Sequence, residues 1–473
     1  MKLYNTMTAR VEEFKPVTEG SVRIYACGPT VYNYFHIGNS RVFIVFDAFR
    51  RYLKYRGLNV TFVQNITDID DKIIKKGAEE GTSWDVIAKT YTDAYLEDIK
   101  KLKITPPDVS PRATEEIPKM LEIISGLIEK THAYVSKHGV YFSVGSFEGY
   151  GKLSKKNIEE LQQGARVEVD EEKKSPLDFA LWKFSKPGEP FWDSPWGAGR
   201  PGWHIECSAM SSKYLDNTFD IHGGGADLIF PHHENEIAQS EAANGCVFAN
   251  YWMHVGYMNI KGEKMSKSKG NFIFIRDILN DYTAEVIRMF ILSAHYRGPL
   301  DFSYENIDSV KKGHDEIRFT LSELRQYISN PKEASEETFT GLFSSFEEEK
   351  AKSIARFNES LDDDFNTPKA VAVIYDAVSY VKKALSSKEL AINGASRKLF
   401  EGYYGWINTL CAVLGVDPAV KELPDAIAEM VRQIDTLRDA KKYAESDELK
   451  KKLTEAGYAV KFRPLGTSVT ADK

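Results

Sequence analysis

The chain has 473 residues, a net charge of −7, 42% hydrophobic residues and four cysteines. One core stops growing near roughly 250–300 residues, so two to four domains are expected, with an ordinary soluble composition. Widely spaced cysteines exclude a disulfide framework and point to a reducing, cytoplasmic compartment, while no apolar run of about 18 residues and no signal-peptide pattern is present. The acidic balance neither supports nor excludes a nucleic-acid partner, since a basic face can sit on an acidic protein.

Residues 22–27 alternate, are rich in β-formers and predict a strand. The loop GPTVYNYFHIGNSR follows, then a helix over 41–56, apolar at Val42, Ile44, Val45, Phe46, Phe49 and Leu53 and ended by Gly57. Residues 59–66 predict a second strand. This order predicts a βαβ unit, hence a parallel sheet with a right-handed crossover. Ligands bind beyond the carboxyl ends of such strands, where Cys27 and His36 both fall. His36 can donate to a phosphate oxygen, Gly38 lets a large ring approach the backbone, and the helix start attracts anions. Taken alone, these residues read equally as a histidine capping a helix.

Thr67-Asp68-Ile69-Asp70-Asp71 reads as an acidic helix start rather than a metal site. Thr82 to Asp85 is a capping box before a helix reaching about residue 103, which Pro106 and Pro107 break. A helix over 114–130 and a hairpin around 140–144 follow. Residues 150–199, rich in Gly, Pro, Lys, Glu and Trp, read as an insertion between two halves of a nucleotide-binding sheet.

The stretch from Arg200 to Glu241 is the densest in chemistry. Cys207 falls on a predicted helix and residues 218–222 predict a strand. The turn HGGGAD, with Gly224, can admit a base or ribose against bare backbone, and Asp227 can accept from ribose hydroxyls. If Pro231 starts a helix, His232 and Glu236 project from one face, and with the thiolates of Cys207 and Cys27 they make a zinc-compatible donor set. A His–Glu pair is also an ordinary surface pair and a lone Cys an ordinary buried hydrophobe, so residues alone leave the metal open. Residues 253–257 predict a strand. Lys264-Met265-Ser266-Lys267-Ser268 is a glycine-flanked basic loop whose lysines can neutralise a leaving pyrophosphate. From about Tyr304 amphipathic helices follow, including 338–380 and 397–414. Residues 432–473 carry ten cations, among them Arg438, Lys441, Lys450, Lys461 and Arg463, beside Tyr443 and interleaved acids. That pattern suits an RNA backbone or a solvated face. Cys246 and Cys411 read as structural.

The signature from Pro29 to Asn39, ending HIGN, together with Lys264 to Ser268 resembles the paired motifs of class I aminoacyl-tRNA synthetases. PGWHIECSAM, FDIHGGGADLIFPHHENEIAQSEA, CGPTVYNYFHIGN, NITDIDDKI, KMSKSKGN and FNTPKAVAVIYDA resemble the cysteinyl-tRNA synthetase family over nearly the full chain. The resemblance implies an α/β Rossmann-type catalytic domain with an inserted connective segment, followed by a helical bundle and a small anticodon-binding region. The parts would be residues 1–110 and 200–303 (catalytic), 111–199 (insertion), 304–415 (bundle) and 416–473 (anticodon). It implies zinc on Cys27, Cys207, His232 and Glu236 that binds the thiolate of substrate cysteine, which shape alone separates poorly from serine. Trp203 and Thr67 would contact the amino acid. His36, Gly38, Asn39, Gly224, Asp227, Lys264 and Lys267 would contact ATP, which brings Mg²⁺. The acceptor would be tRNA(Cys) and the protein a monomer. One departure is Asn39, where His is frequent; it can donate to phosphate but carries no charge. The same core would serve a ligase joining cysteine to an amino-sugar, or a non-catalytic tRNA-binding paralogue; the helical, basic C-terminus disfavours the first and the complete motifs the second.

Overall fold

In the computed structural model, residues 1–156, 173–260, 263–264, 272–329, 336–387, 390, 397–420 and 422–471 are described. They divide into two units, Met1–Asp281 with His295–Phe302, and Tyr282–Ala294 with Ser303–Lys473. No helix among the described residues is long and apolar enough to cross a membrane.

The first unit opens with a hairpin, β1 (Lys2–Asn5) and β2 (Arg10–Glu13). Next come β3 (Ser21–Ala26), α1 (Ile37–Tyr55), β4 (Asn59–Gln64), α2 (Asp71–Glu80), α3 (Trp84–Lys101) and α4 (Ile117–Glu129). An antiparallel sheet follows, of β5 (Ala133–Ser136), β6 (Gly139–Phe142), β7 (Phe179–Phe184) and β8 (Gly199–Pro201). The unit then returns to the parallel sheet through α5 (Trp203–Leu215), β9 (Phe219–Gly225), α6 (Glu234–Asn244) and β10 (Ala249–Val255). It closes with β11 (Met258–Ile260), β12 (Glu263–Lys264), α7 (Ile275–Asp281) and β13 (Leu300–Phe302).

The parallel sheet has the order β10-β9-β3-β4, with β3 paired to both β4 and β9. The chain adds β4 on one side of β3 and β9 on the other, so its winding reverses between β3 and β9. That crevice is where an open α/β sheet receives its ligand. Val22, Ile24 and Tyr25 of β3 and Phe219 and Ile221 of β9 are fully buried, as both faces of such a sheet require. Charge enters once in β9. Asp220 is buried and accepts from the Arg23 N–H at 2.7 Å and from the Val17 N–H, fastening the approach to β3.

Three sequence expectations shift. The helix starts at Ile37 rather than at 41, because the His36 side chain accepts from the Asn39 N–H at 3.2 Å and caps it. Gly223 to Gly225 form the last turns of strand β9 rather than a loop, and a Cβ on Gly223 would run into the Phe46 ring of α1. The glycine is there for helix–sheet approach. The hairpin expected near 140–144 instead pairs β5 with β6 around residues 137–138.

The second unit is helical: α8 (Ala284–Leu292), α9 (Tyr304–Ser329), α10 (Glu336–Asp362), α11 (Thr367–Leu385) and α12 (Arg397–Leu414). The run expected over 338–380 is two helices, because Asp364 and Phe365 take positive φ and Asn366 caps α11 by accepting from the Lys369 N–H. α13 (Asp425–Asp439), α14 (Tyr443–Glu455) and the hairpin of β14 (Tyr458–Arg463) and β15 (Gly466–Ala471) pack around Ile434, Leu453 and Val469. Two expected cations turn inward: Arg463 pairs with buried Glu323 at 2.8 Å, and the Lys461 ammonium lies 3.6 Å from the Phe319 ring centroid. Cys411 is buried and Cys246 exposed.

His314 of α9 is 3% exposed and donates from Nε2 to the Val416 carbonyl at 3.1 Å. Burial holds its pKa below the ordinary value, outweighing Glu285 and Asp315. Below about pH 6.5 the unfolded chain therefore takes up a proton that the folded one refuses, and stability falls as pH falls. His314→Gln keeps a donor and cannot titrate. Its melting temperature should drop less than that of the unaltered chain between about pH 7 and about pH 5.5, as thermal denaturation would show; parallel curves would contradict this.

Candidate functional site

Cys27 follows the last residue of β3 and its N–H donates to the Gly223 carbonyl of β9 at 3.0 Å, so it sits in the crevice where the winding reverses. Cys207 comes from the second turn of α5. His232 lies in the tight turn Ile229–His233, and Glu236 in the first turn of α6 that continues it. The donor atoms of these four residues all lie within 4.8 Å of one another, and all four residues are buried. The two sulfurs are 3.9 Å apart, Cys27 Sγ is 3.8 Å from Glu236 Oε1, and His232 Nε2 is 2.8 Å from that oxygen. Tetrahedral zinc with ligands at about 2.0–2.3 Å spaces its donors by about 3.3–3.8 Å. The sulfur and carboxylate spacings match, and the His–Glu contact must open slightly.

The electrostatics fit a cation as well. The hydrogen bond from Cys27 draws the Cys207 thiol down to about 6, against burial. Burial would raise Glu236, yet His222 and His232 hold it well below the ordinary range. His232 is lifted to about 10; burial opposes this, and the Glu236 carboxylate and Cys207 overcome it. Two anions thus converge on one imidazolium proton in a buried pocket, and a divalent ion would displace that proton.

Four further histidines form the surround; the sequence places His233 in the acid-flanked pair with His232 but assigns a role to none of the four. His222 Nε2 meets Glu236 Oε2 at 2.6 Å, and His204 Nδ1 meets His232 Nδ1 at 2.9 Å. His233 Nδ1 contacts His254 Nε2 at 2.8 Å, and His254 Nδ1 contacts Thr6 Oγ1 at 2.8 Å. Such partners fix ring orientation around a metal. A second donor quartet, Cys27, His222, His233 and Glu236, also lies within 4.8 Å. The available signal was a histidine inside the otherwise apolar, buried strand FDIHGGG and the doubled His in PHHE.

The crevice opens into a cleft of about 400 Å³. Cys27 and Trp203 line it, the Trp203 ring lying 4.3 Å from that of His232. His36, Gly38, Asn39, Gly225, Asp227 and Tyr257 line the cleft too. Because His36 Nδ1 accepts from Asn39, the ring carries its neutral-state proton on Nε2. Two expected contacts lie elsewhere. Thr67 is buried, its hydroxyl donating to Glu206 at 2.8 Å and accepting from Asn65 at 3.1 Å, and Gly224 lies buried beneath the His233 ring; neither lines the cleft. Lys264 ends the β11–β12 hairpin, and Lys267 lies outside the described residues, as do 265–271 generally.

A family model described as the tRNA synthetases class I (C) catalytic domain matches residues 13–312, and a DALR domain model matches 356–416. A protein of Thermodesulfovibrio yellowstonii named Cysteine--tRNA ligase is 47% identical over 98% of this chain and 98% of its own length. One of the same name from Lachnoclostridium phytofermentans is 47% identical over 97% of each. Among solved structures, Mycobacterium tuberculosis methionyl-tRNA synthetase in complex with methionyl-adenylate is similar with a TM-score of 0.61, at 14% identity over 84% of this chain and 90% of that one.

Proposed function

Because the chain belongs to the cysteine–tRNA ligase family of class I synthetases, we propose that its cleft joins cysteine to tRNA(Cys) with a zinc ion on Cys27, Cys207, His232 and Glu236 selecting the substrate. The protein is an ATP-dependent ligase. A carboxylate oxygen of cysteine attacks the α-phosphorus of ATP, which enters with Mg²⁺; the bond to the bridging oxygen breaks and pyrophosphate leaves. A terminal ribose hydroxyl of the tRNA then attacks the acyl carbon, and AMP leaves.

The observation that carries the reading is the convergence of two thiols, an imidazole and a carboxylate, one of which, Cys27, lines the same cleft as His36 at the capped helix start. Bound there, zinc supplies a soft Lewis acid that takes a thiolate far more readily than a hydroxyl. The two-thiolate quartet suits that ion better than the histidine-rich one, and His232 packs on Trp203 at the cleft wall whereas His222 and His233 pack on Trp252. His36 donates from Nε2 to phosphate, and the N-terminus of α1 faces the same charge. Gly38 leaves room for the nucleotide, Asn39 adds a neutral donor, and Asp227 receives the ribose. Lys264 and Lys267 neutralise the departing pyrophosphate, and Mg²⁺ screens it. Trp203 covers the amino acid. Thr67 acts on it from behind, through Glu206 and Asn65, and Gly224 leaves room for the His233 ring beside the metal site. Residues 416–473 carry the anticodon contacts.

The test is ATP–pyrophosphate exchange on the purified protein with a metal assay beside it. Exchange should depend on cysteine, be negligible with serine, and accompany one zinc per chain. Cobalt in place of zinc should give the charge-transfer band of two thiolates; a one-thiolate band would put the metal on the histidine quartet. Exchange with serine as good as with cysteine would end the selection model.

A further inference from the structure

We propose that Arg41 is a positioning residue for adenylate formation, setting the distance between the helix start that bears His36, Gly38 and Asn39 and the backbone strap that leads to the 264–268 signature. It lies one turn inside α1 and is 1% exposed. Its Nη1 donates to the carbonyls of Gly256 at 2.9 Å and Tyr257 at 2.7 Å; its Nη2 donates to those of His295 at 3.1 Å and Gly298 at 2.7 Å. All four acceptors are main-chain atoms. Two belong to the link between β10 and β11, the strand that continues through β12 towards the lysine signature. Two belong to the turn before β13, which pairs in parallel with β11.

One planar guanidinium therefore ties three segments together. Two of them, through Gly38, Asn39 and Val42 on α1 and Gly256, Tyr257 and Met258 on the strap, line the same cleft. The approach is close on the strap side too. The Gly256 N–H donates to the Tyr296 carbonyl at 2.8 Å, and a Cβ on Gly256 would run into the carbonyls of Arg297 and Gly298. Burial lowers the Arg41 pKa to about 10, so the group stays charged at neutral pH at a desolvation cost. An apolar side chain of similar volume could fill the space but would leave these four carbonyls without their donors. What an apolar side chain cannot do is hold four carbonyls at fixed spacing; the rigid fork of arginine does, and a lysine ammonium reaches one or two.

This inference rests on the ligase reading, and the experiment separates the two. In ATP–pyrophosphate exchange, Arg41→Lys should raise the KM for ATP and lower kcat by a combined factor of about 10 to 100, the scale of an ångström misplacement. The KM for cysteine should stay within about twofold and zinc content should not change, because the wall moved is not the one that holds the amino acid. Normal exchange by Arg41→Lys, or equal rises in both KM values, would overturn the assignment. Should that variant fail to fold, Gly256→Ala wedges the same joint from the strap side and must show the same split; an equal loss for both substrates there would overturn it as well. No cysteine-dependent exchange by the unaltered chain would sink the ligase reading itself.

Discussion

Cys207→Ser should raise the KM for cysteine by at least about a hundredfold, taking the upper end of what even outer-shell changes cost a metal site, while the KM for ATP stays within about twofold. Cys207 is buried, 3.9 Å from the Cys27 sulfur, and does not line the cleft. A hydroxyl of unperturbed acidity does not ionise near neutral pH, so the pocket loses one anion and the softer of its ligands. Discrimination against serine should collapse in parallel. The cobalt form should lose the two-thiolate band while the fold, followed by circular dichroism, persists. Equal losses for cysteine and ATP would mean that the cluster supports the whole cleft and does not read the amino acid.

The second large effect is expected at His36. His36→Ala should lower the rate of adenylate formation by about 10²–10³-fold, the loss seen when one donor to a charged transition state is removed. It should also cost about 1 kcal/mol of stability as the N-cap of α1 disappears. The substitutions separate the two jobs. Asparagine caps helices well and retains an N–H donor. His36→Asn should restore the melting temperature in full and the rate in part, in a single-turnover assay with saturating ATP. Full rescue of rate by any good cap, including His36→Asp, would show that the ring only starts the helix.

How much of this was legible before the coordinates depends on the scale of the signal. Local signals read well: the βαβ order, the end of α1 at Gly57 and the bounds of α12 all follow from periodicity and punctuation, whereas the break near residue 364 does not show in the pattern over 338–380. Helix starts read less well. HIGN offers His36 either as a phosphate donor or as a helix cap, and the choice depends on a side-chain rotamer that sequence does not display. The glycine run of β9 was assigned to a turn, since the Phe46 ring that demands Gly223 comes from a helix about 180 residues earlier, and no local rule connects them. The reversal of winding at β3, which gathers the site, is likewise a property of the sheet and of no segment in it. The four candidate donors could be nominated one by one; their convergence needed the fold. The inner histidines were passed over because burial, and with it the difference between a surface imidazole and one packed around a carboxylate, is not written in spacing.

Cys27 and Glu236 are separated by 209 positions along the chain. If the proposed ion is shared between them, it would act as a reversible cross-link, closing a very long loop, where entropy rises only logarithmically with length, and favouring the native state in proportion to its occupancy. Scarcity of the ion would then strike twice: the amino-acid reader falls silent, and the two halves of the parallel sheet lose their fastener, leaving the polypeptide open to proteolysis. On the zinc reading, supply of the metal would govern lifetime as well as turnover.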